Sequence, residues 1–484
     1  MSTFSFEALA RSFSSATIPN LPLLGLSESE QSLIKQLQTQ AQTDRSLMQL
    51  CLAYYLGEQV IDNLRIAVPK ELEFLRTLVG WPALGVDPLV ERLAIDGFRL
   101  PTSTDADDHL SALWDANAGE YEQTLAFTDA LVMHRAYWMV GSNPEKGGPP
   151  LITAESPLNM TVLWDLRGTS ARAAMQEYRD ADRKRGALLV PNQTIHLAED
   201  DDGKWTVTGR DQHGFGFVPV ERMANRPRTN NRDGASEITP AVRSLTDSAC
   251  RTLLGLEVAR ELYSVPQKAL LGATEAAFQN ADGTPKSAWE TYITRVLAIE
   301  ADEAGNVPTI HQMQPYDPSA FTKILDWYAS SAAGHLAATP QDLGLYTQGN
   351  PASAESQEVA ESRRDRRAQL RQKMFSPALA RTMQNAVRFE HGGRLPTEFE
   401  RIAVDWHAVK DVYPSLISDA VSKEITSGAV PATSDVTLKR LGYSAVERAR
   451  LAQDRRADDA RAMQQALVAS LMPKAPTGGD DNRA

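Results

Sequence analysis

The eight histidines, at positions 109, 134, 196, 213, 311, 335, 391 and 407, are scattered along the 484-residue chain. None has a second histidine at the spacing that sets two ligands on one helix face. Cys51 and Cys250 are the only cysteines, too few for a metal site, and they fit a reducing compartment where a thiol serves as a small buried hydrophobe. The best metal-like run, Asp200-Asp201-Asp202, stands before Gly203 and a strand-like stretch, which reads as a solvated hairpin turn. His335 lies on an otherwise apolar helical pattern and reads as a packed or interfacial side chain rather than a catalyst. No GxxxxGK[ST] phosphate loop, HExxH helix or GxSxG elbow occurs. No catalytic residue, metal or cofactor is therefore expected, and the function must lie in surfaces and shape.

Bulk properties narrow that further. The formal net charge is −12, against the surplus of lysine and arginine that tight wrapping of nucleic acid requires. DNA passing nearby without being gripped remains compatible with it. At 42% apolar and 23% charged residues the chain can bury a substantial core, and its length exceeds the ~250–300 residues at which one core stops growing. The N-terminus lacks a basic stretch followed by an apolar one, and no run approaches ~18 apolar residues, so a cytoplasmic protein without a membrane span is expected.

The elements follow from periodicity. Residues 28–56 read as a helix stopped by Gly57, and a helical pattern through 71–95 is punctuated by Trp81-Pro82 and restarted at Asp87-Pro88. Two more helices and an aromatic-rich end complete a mainly helical N-terminal third. From about residue 150, "MTVLWD", "GALLVPNQTIHLAE", "KWTVTGR" and "FGFVPVERM" are short β-rich runs with a turn signal at Asp202-Gly203. The pattern Ile238, Val242, Leu245, Ala249, Leu253, Leu256 predicts a helix ended by Pro266; residues 266–316 read as a small αβ insertion. A second helix begins at Asp317-Pro318, with Phe321, Ile324, Leu325, Tyr328, Ala332, His335 and Leu336 along one side. Its "ASSAAG" at 329–334 permits close approach of a neighbouring backbone. After a β-like run near 397–409 the chain ends in helical segments, and residues 473–484 read as a disordered tail.

Two stretches resist an ordinary reading. "ATPQDLGLYTQGNPASAE", 338–355, joins two helices and contains no lysine or arginine. The helix after it, expected from an Asn350-Pro351 start to about Glu390 with a kink at Pro377, carries Arg363, Arg364, Arg366, Arg367 and Arg371 but few large apolar residues before Lys373. Those arginines, interleaved with Glu355, Glu358, Glu361 and Asp365, make either a solvated face or a patch facing DNA or another subunit.

The order of these elements resembles the portal proteins of tailed double-stranded DNA bacteriophages, specifically the siphophage type common in actinobacterial phages. The matching stretches are "YYLGEQ" (54–59), "GWPALGVDPLVERLAIDGFRL" (80–100), "NRPRTNNRDGASEIT" (225–239), "LGLYTQGNPASAES" (343–356), and "SDAVSKEITSGAVP" with "LKRLGY" (418–443). The resemblance spans about residues 45–450. It implies a mainly α chain with a β-containing wing module, an α+β portal fold of wing, stem, clip and crown that assembles as a ring, typically twelvefold. On that pattern residues 1–235 form most of the wing, 236–265 and 317–337 the stem helices, and 266–316 the clip. Residues 338–352 become a tunnel loop, 353–405 a long kinked helix returning to the wing, and 406–472 the crown.

The implied function is the DNA channel at one capsid vertex, used for packaging and ejection, in a virion assembled in the bacterial cytoplasm. Implied partners are further copies of the chain, DNA without sequence preference, the terminase large subunit, a head-completion adaptor, and the major capsid and scaffolding proteins. The resemblance makes Gln341, Tyr346, Thr347, Gln348 and Asn350 DNA-channel residues and Arg363, Arg364, Arg366 and Arg367 inter-subunit or channel arginines. Trp289 and Tyr292 become candidate clip contacts, with core packing as the plainer alternative. The rival readings are a head-tail connector or adaptor, usually much shorter, and a packaging nuclease or motor, which would need the missing phosphate loop or metal site.

Overall fold

The computed structural model describes residues 25–60, 76–101, 103, 105–143, 147–180, 183–199, 205–263, 268–271, 284, 309–312, 317–339, 341–344, 354–409, 421–443 and 445–471. Two compact units divide at Val409/Lys410. The larger mixes helix and sheet; the described part of the smaller is helical and turn structure.

The first helix, α1 (Glu28–Leu56), starts where Ser27 and Glu30 cap each other's backbone N–H and stops where Gly57 turns left-handed at φ 73°. Next come α2 (Trp81–Val90), β1 (Ile95–Arg99), α3 (Asp108–Ala116) and α4 (Gly119–Val132). The expected restart at Asp87-Pro88 does not occur: α2 is one helix with Pro82 in its first turn and Pro88 inside it. Pro88 is third from the end and costs the helix a single bond, the one its N–H would have made to the Leu84 carbonyl. The aromatic-rich run after α4 is a strand, β2 (Arg135–Gly141), between β3 (Leu151–Glu155) and β9 (Val220–Ala224).

A five-stranded antiparallel meander follows the chain order β4 (Met160–Trp164), β5 (Ala171–Asp180), β6 (Arg183–Val190), β7 (Gln193–Glu199) and β8 (Trp205–Gln212). Alternation sorts its side chains. Ala173, Met175, Leu188, Ile195 and Leu197 meet Ile34 and Leu37 of α1, and Ala174, Ala187 and Leu189 meet Tyr137, Val218 and Val220 on the opposite face. The expected turn at Asp202-Gly203 and the acidic run before it lie outside the described residues.

The helices α5 (Pro240–Tyr263) and α6 (Ser319–Leu336) pack against each other through Val242, Ala249, Ala329, Ala332, Ala333 and Leu336, so the small-residue run makes an intrachain helix pair. The buried side of α6 differs from the expected stripe in two members, Ile324 and His335, which are exposed. Between the pair, β10 (Lys268–Leu271) and β11 (Thr309–Gln312) form an antiparallel ladder.

The long helix α7 (Ala354–Glu390) runs through Pro377 as a single helix. Its buried side, Ala368, Phe375, Ala378, Leu379, Met383, Ala386 and Val387, continues across the proline into the main core with Phe127, Leu131 and Trp138. Packing on both sides thus offsets the one lost helical bond. The chain then pairs β12 (Ala403–Trp406) antiparallel with β1.

In the smaller unit, residues 421–426 are helical, α8 (Asp435–Arg440) is capped by Ser434, and α9 spans Ala445–Leu471. Arg440 pairs with Glu424, and Arg448 with Asp435 at 2.5 Å. The expected tail at 473–484 lies outside the described residues. Among the described residues, no helix is long and apolar enough to cross a membrane.

Candidate functional site

The polar half of α7, the end of α6 and the start of α5 converge on one ionic junction. Glu237, just ahead of α5, is only 3% exposed at its side chain and receives Arg371, a hydrogen bond of 3.0 Å from Asn225 Nδ2, and the more distant guanidinium groups of Arg367 (3.8 Å) and Arg226 (3.9 Å). Burial pushes its carboxyl upward, but Arg371 and Asn225 outweigh that and hold it below the ordinary carboxylate value. Removing Glu237 would leave the Arg371 guanidinium buried without its counter-charge, a loss of about 3–5 kcal/mol.

The loop leading to Glu237 is built for this. Asn225 is fully buried, its N–H donates to the His134 carbonyl at 2.9 Å, and its carbonyl accepts from Ala235 at 2.7 Å. Gly234 sits at φ 89° against that same Asn225 carbonyl, where a Cβ would overlap backbone atoms, so glycine is required. The stretch "NRPRTNNRDGASEIT" therefore forms a folded pin under the helix pair.

At the end of α6, Ala337 stops the helix in the left-handed region. The carbonyls of Gly334 and His335, released by the helix end, accept from Arg363 (3.4 Å) and Arg367 (2.9 Å) of α7. Beyond it, Thr339 and Asp342 bond reciprocally: the Thr339 N–H donates to Asp342 Oδ2 at 2.7 Å, and the Asp342 N–H to Thr339 Oγ1 at 3.3 Å. Asp342 also pairs with Arg364, whose side chain is 7% exposed. Arg92, from "LVERLAI", reaches Asp365 of α7 at 3.2 Å.

Of the expected channel residues, Gln341 opens a one-turn 3-10 helix, Gln341–Leu343, at the root of the segment. Tyr346, Thr347, Gln348 and Asn350 lie outside the described residues, as do the expected Asn350-Pro351 helix start and Trp289 and Tyr292. Of the four arginines, Arg363, Arg364 and Arg367 have partners in their own chain, and Arg366 is exposed. This half of α7 is not wholly the solvated face that its charge pattern allowed: Arg364, Ala368 and Arg371 are buried, and carboxylates of the same chain meet the two buried guanidinium groups.

Sequence reading missed Asp342 and Glu237. For Asp342 a signal existed, since Thr339-Pro340-Gln341-Asp342 has the capping spacing that brings the fourth residue back to the first. Glu237 had none, because its partner Arg371 is 134 positions away. The paired tyrosines of "YYLGEQ" are accounted for as well: Tyr54 donates to Asp247 of α5 and Tyr55 to Asp87 of α2 at 2.8 Å. Burial, then the bond to Asp87, pushes the Tyr55 phenol up to about 12.

Elsewhere a cavity of about 760 Å³ opens between the two sheets, with His196, His213, Asp211 and Glu390 in its wall. Among the described residues no group of three or more His, Cys, Asp or Glu could hold a metal ion.

Residues 34–408 match the family model described as phage portal protein, SPP1 Gp6-like. The chain belongs to the phage portal protein family. The portal protein of Mycobacterium phage D29 is 32% identical over 88% of each chain, and that of Mycobacterium phage L5 is 31% identical over the same shares. These are actinobacterial phages, as the resemblance expected, and a portal is a structural part of the phage rather than an enzyme. Among solved structures, a chain from the neck of a native gene transfer agent particle, computed with C12 symmetry, is similar at a TM-score of 0.41 and 16% identity, over 82% of this chain and 99% of that one.

Proposed function

We propose that this portal family member closes into a ring of about twelve copies at one vertex of the phage head, and that double-stranded DNA passes through its centre during packaging and ejection. In that reading residues 1–235 are the wing, α5 and α6 the stem, 266–316 the clip, 338–352 the tunnel loop and the helices beyond β12 the crown. The terminase large subunit and then a head-completion adaptor dock at the clip, where Trp289 and Tyr292 are candidate contacts. The major capsid and scaffolding proteins surround the ring, which assembles in the bacterial cytoplasm and remains in the virion.

The observation that carries the channel is chemical. The segment rooted at the end of the α5–α6 pair has no lysine or arginine from 338 to 355, and the arginines that follow it at 363, 364 and 367 are engaged by their own chain. Each cation ion-paired to a phosphate adds affinity and therefore drag, so a duplex slides past such a segment without being held. Gln341, Tyr346, Thr347, Gln348 and Asn350 supply weak, exchangeable contacts in place of ionic ones.

Negative-stain class averages of the purified protein test the ring: rotational symmetry near twelvefold around a hole of about duplex width, roughly 20 Å, is expected. Compact monomers or dimers across concentration and salt would refute it. Replacing Thr347 and Gln348 by lysine then tests the channel. Packaging should slow and become steeply salt-dependent, because about two added charges per subunit face the duplex; packaging at the native rate and salt response would remove these residues from the DNA path.

A further inference from the structure

We propose that Arg364 is a positioning residue: with Arg363 and Arg367 it holds the end of α6 and the root of the following segment inside one subunit, and so sets where that segment leaves the helix pair. The inference rests on the channel reading for its purpose and on the geometry of described residues for its substance.

Three contacts converge at the root. Leu343 is buried in the apolar cluster of Trp81, Val242, Ala249 and Leu336, which plugs the chain against the α5–α6 pair. One residue earlier, Asp342 is pinned twice, by the Thr339 N–H and by Arg364. One residue later, Gly344 turns at φ 84°, and among the described residues nothing lies within 4 Å of where a Cβ would stand. The held portion thus ends at Leu343, and the path beyond begins at a position free to turn.

The same arginine row fixes the helices themselves. Arg363 and Arg367 stand four residues apart on one face of α7 and take the last free carbonyls of α6, while Arg367 and Arg371 share Glu237 at the start of α5. An arginine suits position 367 because its fork reaches two acceptors, the His335 carbonyl and Glu237, which a lysine ammonium cannot do with the same geometry. Turning Arg364 and Arg371 inward also keeps those two cations from a passing polyanion, so the arrangement that positions the segment also lowers the grip of its root on phosphate.

Hydrogen exchange on the full-length protein, with the wild type compared with Asp342→Asn, Arg364→Met, Arg364→Lys and the Asp342→Asn/Arg364→Met double variant, tests this. The backbone of 338–344 should exchange about tenfold faster in Asp342→Asn and Arg364→Met, since each loses a charge-assisted bond. Arg364→Lys should fall between them and wild type, and the double variant should be no faster than Arg364→Met, because both changes break one link. Exchange in α4 should stay unchanged in all four.

Unaltered exchange at 338–344 in Asp342→Asn overturns the proposal, and so do additive effects in the double variant or equal acceleration in α4. Asp342 is about one-third exposed at its side chain, so its asparagine variant keeps the test alive even if Arg364→Met fails to fold. Faster exchange with unchanged DNA packaging supports the clamp and counts against the channel reading, which keeps the two apart.

Discussion

Charge inside this protein is tolerated where it finds charge. Among the described residues, the buried arginines Arg135, Arg364 and Arg371 reach Asp44, Asp342 and Glu237 respectively. Glu30 follows the same rule at a helix start: it is the third helical residue of the α1 capping box, and Arg210 grips both of its oxygens, at 2.7 and 2.9 Å. The Arg210 hydrogen bonds, against opposing burial, bring its carboxyl down to about 2 from 4.5. A carboxyl whose folded value is depressed stabilises the fold fully above its unfolded value and loses that contribution as pH falls through the folded one. Stability carried by this pair should therefore be intact above about pH 4.5 and disappear towards pH 2, by about 2 kcal/mol after allowance for partial exposure. Urea midpoints of wild type and Arg210→Ala should diverge above pH 4.5 and converge near pH 2; parallel curves would contradict the assignment. The cap was legible in Ser27-Glu28-Ser29-Glu30, whereas Arg210 was not, because it comes from a strand 180 residues later.

Helices and strands here were readable wherever the local pattern had a local cause. Gly57 stops α1 through its own backbone freedom, and β6 and β7 alternate because a pleat alternates. Pattern failed where packing overrode it: Pro88 stays within α2, where a restart was expected, while α7 runs on through Pro377 as its helical pattern did. The α2–α6 crossing shows packing at close quarters. Gly85 faces Leu336, and a Cβ added there would overlap that side chain. Gly85→Ala is expected to cost about 1–3 kcal/mol by overpacking, although alanine is the better helix former. A lower urea midpoint checks it; an unchanged or raised one would show that Leu336 moves aside freely.

Across the whole chain, the division at Val409/Lys410 places every element from α1 to β12 in one unit with its own core. A chain ending at Val409 should accordingly keep its cooperative unfolding and a melting temperature within about 4 °C of the full-length value, checked by calorimetry. Loss of cooperativity would mean that the C-terminal helices are part of that core. By itself the sequence determined the family, the helical and sheet regions, the absence of any recognisable catalytic motif, and the cation-free segment from 338 to 355, because composition, periodicity and element order are properties of the linear chain. Tertiary structure alone decided where the arginines of α7 point. Whether a guanidinium faces solvent, a neighbour or its own chain depends on acceptors such as Glu237 and the α6 carbonyls, which folding brings within reach from distant positions and which no local pattern encodes.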